Sequence, residues 1–350
     1  MTDWQFFSQL RHLITADPGG RGLDRIAGRS LVSLSAPDLE AACRSLAGTK
    51  RLEVAIVTGF YVARAESYET DGPLGAIFLA EVLHRLGAGV TILAEAGCNA
   101  VHEVALRLNG LEDHIHLKDL PSADIPNFEP WCQQFWQQHS HLTHLVSIER
   151  VGPSHTLQSL MQQYVDQPAP LGAFTQEVDA ISWNRPHNMR GYDLAAFTSP
   201  AHRLFETLPA GVWSIGIGDG GNEIGMGKLP WDVIRANIEG GSKIACRIPT
   251  HHLIVAGISN WGAYALAAGT TWLRQQYDLA RLFDADREAQ LWEATLVKEP
   301  LVDGVTAACQ LTVDGLEWKA YRKTMDQLQI WLAHKQEQTH VVQQFPSVHG

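Results

Sequence analysis

Val212-Trp213-Ser214-Ile215-Gly216-Ile217-Gly218-Asp219-Gly220-Gly221-Asn222-Glu223-Ile224-Gly225-Met226-Gly227-Lys228 is the stretch on which the fold turns. An apolar run rich in β-branched residues enters a loop with glycine at six positions between 216 and 227. The run predicts a buried strand. Glycine admits positive φ and lets backbone N–H groups approach a ligand. A surface turn needs one or two such residues. Six of them, set around Asp219, Asn222 and Glu223, point to a site rather than to an acidic connection between a strand and a helix.

On either side of this stretch, strands and helices alternate. Apolar runs at Leu52–Thr58, Gly89–Ala94, His114–Leu117, Leu142–Ile148, Lys243–Arg247 and Leu253–Ala256 read as further strands. Helical periodicity falls at 74–86, 99–108, 131–139, 200–208, 231–238, 259–276, 284–297 and 316–334. Such alternation predicts an α/β fold, a mostly parallel sheet with helices on both faces and the glycine-rich loop at a strand's C-terminal end. The expected organisation is a helical N-terminal segment over 1–50 and an α/β catalytic domain over 51–335. An excursion at about 153–205 is expected to cross the sheet edge as a binding loop. A polar, mobile tail is expected over 336–350.

Composition excludes several classes. The chain has 350 residues, 45% hydrophobic and 19% charged, which is ordinary for a globular protein. No apolar run reaches the roughly 18 residues of a membrane helix. Met1-Thr2-Asp3-Trp4 lacks the basic-then-apolar pattern of a signal peptide, so a cytoplasmic protein is expected. With 27 basic and 38 acidic residues the formal charge is −11, which disfavours nucleic acid as a partner. The five cysteines are scattered and read as reduced thiols, and the sixteen histidines show no zinc-ligand spacing. A homo-oligomer is compatible with all of this.

In open α/β sheets, ligands bind at the carboxyl ends of the strands. The strand at 52–58 leads to Glu69 and Asp71, and that at 142–148 ends at Glu149-Arg150. The strand at 212–217 ends at Asp219, Asn222 and Glu223, and that at 253–256 at Ser259-Asn260. Four parallel strands would gather these tips at one rim. Asp71 is expected to cap the helix beginning at Pro73, or to face a ligand there. Arg21, inside Asp17-Pro18-Gly19-Gly20-Arg21-Gly22, reads as a surface charge. Gly216-x-Gly218-x-x-Gly221 matches a dinucleotide fingerprint, but Asp219 and Glu223 would repel a pyrophosphate. Lys228 is followed by Leu229, which excludes a Walker loop.

Residues 216–227 resemble the signature of the D-glutamate cyclase family. Val57-Thr58-Gly59-Phe60, residues 69–76, Ser147-Ile148-Glu149-Arg150, Asn188-Met189-Arg190-Gly191, Gly257-Ile258-Ser259-Asn260-Trp261-Gly262 and Val302-Asp303-Gly304-Val305-Thr306 agree in order. Residues 152–187 and His251-His252 depart from the pattern. The resemblance implies reversible dehydration of D-glutamate to 5-oxo-D-proline. The substrate amine must lose a proton and attack its own γ-carboxylate, a poor electrophile. That requires a cation: Arg150, Arg190 or Lys228, or a divalent ion (Mg²⁺ or Mn²⁺) held by Asp219 and Glu223. Glu223 or Asp219 is the first candidate base and Glu149 the next, with Asn222 beside them. N–H groups around Gly218, Gly220 and Gly221 would hold the oxyanion, each such donor worth about 100- to 1000-fold in rate. Glu69, Asp71, Arg150, Arg190, Ser259 and Asn260 are the expected substrate contacts, with Arg190 gripping the α-carboxylate. A metal-dependent hydrolase of a small acidic amide or lactam, or a non-catalytic binder of a small acidic metabolite, would use the same residues.

Overall fold

Val54 and Ile56 face one apolar core, and Ala55 and Val57 face a second. That is the period-two alternation of a strand buried on both sides. The computed structural model describes residues 1–344, with side chains through Thr339. Six parallel strands form the main sheet: β1 (Glu53–Thr58), β2 (Gly89–Ala94), β3 (Ile115–Asp119), β4 (His144–Ile148), β5 (Trp213–Gly218) and β6 (His252–Val255). Their spatial order is β3-β2-β1-β4-β5-β6, so the winding reverses between β1 and β4. The four strands expected to carry the polar tips are therefore contiguous, and all point the same way.

The principal helices are α1 (Asp3–Ile14), α2 (Asp38–Gly48), α3 (Pro73–Arg85), α4 (Ala96–Leu108), α5 (Glu129–Gln138), α6 (Trp231–Asn237), α7 (Ser259–Leu273), α8 (Ala285–Lys298) and α9 (Lys323–Gln344). Helices α1 to α4 and α7 to α9 cover one face. Phe6 and Leu10 of α1 sit in the same core as Ile56, so the N-terminal helices are part of the α/β body. Helices α5 and α6 and the β4–β5 crossover cover the other face through Phe135, Phe174 and Trp231. Among the described residues no helix is long and apolar enough to cross a membrane.

Several expectations need correction. The excursion after β4 does not cross an edge. It joins two adjacent central strands and lies over a face, with Leu160, Phe174 and Leu204 buried beneath it. Lys243–Arg247 is not a strand. Gly240, at φ 68°, starts a helical turn over Gly241–Ile244, and Cys246 then bonds back to the glycine-rich loop through Gly221. The last helix continues to Gln344, through most of the region expected to be a mobile tail, and the remainder of that region lies outside the described residues.

Candidate active site

Glu149 follows β4 at φ 44°, a left-handed conformation that costs a residue with a Cβ about 1–2 kcal/mol. The turn sets its carboxylate inside the rim, where it accepts from Ser259 Oγ at 2.5 Å. Gly72, at φ 96°, allows this: a Cβ there would stand 2.9 Å from that of Glu149. Arg150, the next residue, leaves in another direction. It is wholly buried and forks onto Glu95 at 2.6 and 2.7 Å, with further bonds to the carbonyls of Gly59 and Ser199. It is a structural clamp between strand ends and does not line the cavity described below.

Asp71 makes one bond to the helix it precedes, accepting from Gly72 N–H at 3.1 Å, but most of its bonding lies elsewhere. Residue 72, the N-cap of α3, has no side chain, and Ile258, the N-cap of α7, has no acceptor. The two helices cap each other instead. Asp71 accepts from the backbone N–H of Ser259 and Asn260, both at 2.8 Å. Asn260 Oδ1 accepts from Gly72 and Gly75 at 2.8 and 2.7 Å. The N–H groups of Ser259, Asn260 and Gly75, otherwise orphaned at the helix starts, are satisfied in this way. Ser259 and Asn260 thus hold Glu149 and Asp71 in place; neither lines the cavity described below.

Glu223 has a similar structural duty. Its carboxylate accepts from the N–H groups of Asp219, Gly220 and Gly221 at 3.2, 2.7 and 2.8 Å. The loop amides expected to cradle an oxyanion, or a pyrophosphate, are already bonded to this carboxylate. Lys228 is also committed elsewhere, at 2.5 Å from Asp38 and 2.7 Å from the His251 carbonyl.

The cation of the site is Arg21. Its Nη1 donates to Asp219 Oδ2 at 2.9 Å, and its Nη2 lies 3.0 Å from Asp314 Oδ2. Sequence reasoning assigned Arg21 to the surface and overlooked Asp314. The Val302–Thr306 motif was the available signal for Asp314. Buried Asp303 accepts from Val305 and Thr306 N–H on one oxygen and from Thr312 Oγ1 and Gly315 N–H on the other. This closes a loop that carries Asp314 inward. Gly304 faces the Glu69 carboxylate, which a side chain there would strike.

These groups line a cavity of about 480 Å³. Glu69, Glu149, Asp219 and Asp314 form its acidic floor, and Arg64 and Arg190 stand at its wall. Asn222 lines it too. Its Nδ2 donates to the His187 carbonyl, while its buried Oδ1 has no partner. Asn188 accepts from the N–H groups of Arg190 and Tyr192, a turn that presents Arg190. One oxygen each of Asp71, Asp219 and Asp314 lie within 4.8 Å of one another, and so do those of Glu149, Asp219 and Glu223.

So many buried acids around one half-buried arginine cannot all be ionised. Burial, then Asp314 and Asp71, raises Glu69 well above the carboxylate range. Burial, then Glu223 and Asp71, does the same at Glu149. Asp219 rises by burial despite Arg21. Asp71 is pushed up to about 7, by burial and then Asp314, against the N–H bonds from Asn260 and Ser259. Near neutral pH the cluster therefore retains protons that it can give and take. The all-oxygen donor set also suits a hard divalent ion. Arg21 lies against two acids of the Asp71, Asp219 and Asp314 triad but only one of the Glu149, Asp219 and Glu223 triad, so the latter is the better fit for such an ion.

A family described as "D-glutamate cyclase-like, C-terminal" matches residues 10–161 and 179–329. The unmatched stretch between them falls inside the region where the sequence departs from the family pattern. The chain is also 30% identical over 273 residues to the human protein "D-glutamate cyclase, mitochondrial". That match covers 75% of this chain and 38% of the human one.

Proposed function

The chain belongs to the D-glutamate cyclase-like family, and from that premise we propose that it is a hydro-lyase interconverting D-glutamate and 5-oxo-D-proline. The observation that carries this reading is one cavity that joins proton-retaining carboxyls, an unpartnered amide oxygen and a fixed arginine. The reaction needs all three. The substrate ammonium binds among the acids and donates to Asn222 Oδ1. A carboxylate, Glu149 or Asp219, removes its proton. The freed nitrogen attacks the γ-carboxyl carbon, and a C–N bond forms. A protonated neighbour, for which Glu69 is the candidate, delivers a proton to one γ-oxygen and takes up the second excess proton of the nitrogen, while the first acid returns its proton to the same γ-oxygen. The C–O bond then breaks, water leaves, and both acids are restored. Positioned acid–base transfer of this kind contributes roughly 100- to 10,000-fold.

Substrate carboxylates would be repelled by the floor, and Arg21 and Arg190 offset that repulsion. Mg²⁺ or Mn²⁺ held by Glu149, Asp219 and Glu223 would supply further positive charge at the γ-carboxylate. The purified protein should be incubated with D-glutamate, L-glutamate and 5-oxo-D-proline, with EDTA or with Mn²⁺, and the products followed by chiral chromatography. Interconversion confined to the D-series supports the reading. Release of a different product, or no turnover with the metal present, would overturn it.

A further inference from the structure

A second groove, of about 620 Å³, adjoins the acid cavity and shares Arg21, Met189 and Arg190 with it as a common wall. Its other walls carry Arg25 and Lys243. Among the described residues, the side chains of Arg25, Arg190 and Lys243 have no ion-pair or hydrogen-bond partner. Arg29, Arg203, Arg235 and Arg247 sit on carboxylates, whereas Arg51, Arg85 and Arg281 are unpaired among the described residues but line neither the cavity nor the groove; what sets the groove apart is three unpaired cations on one concave wall. The one acid lining the groove is Glu239. The groove is thus a local excess of unsatisfied positive charge on a chain whose formal charge is −11. It is also open. A Cβ built at Gly20 or Gly240 would touch nothing, and Lys243 lies over Gly191 with its Nζ turned to the same space.

Like charges gathered without counter-ions repel one another, and a bound anion relieves the repulsion. A concave basic surface also concentrates anions beside a floor that would otherwise turn them away. We infer that Arg25, Arg190 and Lys243 form an anion-binding subsite for a small ligand with two negative charges, carboxylate or phosphate, next to the acid cavity, with Arg190 on the wall the two share. The inference does not depend on which reaction the cavity performs.

The full-length protein and its Arg25→Gln/Lys243→Gln double variant should be titrated calorimetrically with inorganic phosphate and, separately, with glutarate. Both substitutions lie on the groove's outer walls and spare Arg190, and circular dichroism will verify the fold. The subsite requires at least one anion to bind about fivefold or more weakly to the variant, and to weaken further as salt is added. Tighter binding of phosphate than of glutarate assigns the ligand to the phosphate class, and the reverse order to the carboxylates. If neither anion binds the parent, or both bind parent and variant alike, the subsite does not exist.

Discussion

Arg21 Nη1 donates to Asp219 Oδ2 at 2.9 Å, joining loops 198 positions apart in sequence. The contact supplies positive charge to a floor of acids and fixes the orientation of the central one. Replacing Arg21 by Gln should lower kcat with D-glutamate about 100-fold or more. Arg21→Lys should recover only part of this, because an ammonium cannot serve Asp219 and Asp314 as a planar fork. Steady-state kinetics on both variants will separate loss of charge from loss of geometry.

Glu223 and Glu149 should respond oppositely to the same change. Glu223→Gln keeps one acceptor oxygen but sets an amide NH2 against the loop N–H groups that met the other, so urea unfolding should show a loss of about 1–3 kcal/mol. Glu149→Gln removes a carboxyl that burial and Glu223 already disfavour as an anion, so stability should hold or rise while activity collapses. A stability loss at Glu149 equal to that at Glu223 would contradict these assignments.

The exchange of caps between α3 and α7 gives a purely structural prediction. Asn260→Ala removes the side-chain acceptor of Gly75 N–H and one of the two acceptors of Gly72 N–H, and should cost about 1–2 kcal/mol. Asn260→Asp keeps the acceptor but adds charge beside Asp71, so its penalty should grow as pH rises. Thermal melts at pH 5 and pH 8 will show whether the two variants diverge.

The strands and the convergence of their tips were legible in the sequence, because long apolar runs with turn residues between them leave few ways to fold. The composition of the cavity was less so. Glu149 and Arg150 are adjacent and both polar, but consecutive residues leave a strand end in different directions, and only Glu149 faces the cavity. Arg21 sits among Asp, Pro and Gly residues that mimic a surface turn, and nothing local marks its partner in the loop after β5. Glu223 looked like a free acid because sequence does not reveal that the loop folds its own amides onto it. Asp71 before Pro73 resembled a cap for the nearest helix, whereas the helix it caps begins 188 positions later.

Stability should depend on pH in the sense set by the raised carboxyls. Asp71 moves from 3.8 to about 7 on folding, so the folded protein binds the proton more tightly than the unfolded chain does. That contribution is fully present below about pH 4 and is lost as pH rises through about 7. Glu69, Glu149 and Asp219 shift in the same direction. Melting temperature without added metal should therefore fall from acid toward neutral pH. Mn²⁺ should reverse the trend, since it competes with protons for the same oxygens. A flat profile, or one that Mn²⁺ leaves unchanged, would argue against an acid cluster that exchanges protons for a cation.

The central claim is that Asp219 and its neighbours carry out the chemistry. The most direct test is the rate at which Asp219→Asn, folded and otherwise intact, converts D-glutamate to 5-oxo-D-proline beside the parent protein. The variant keeps the shape of the side chain but loses the charge that meets Arg21. The account predicts a fall of about 100-fold or more in kcat; a rate equal to the parent's would contradict it.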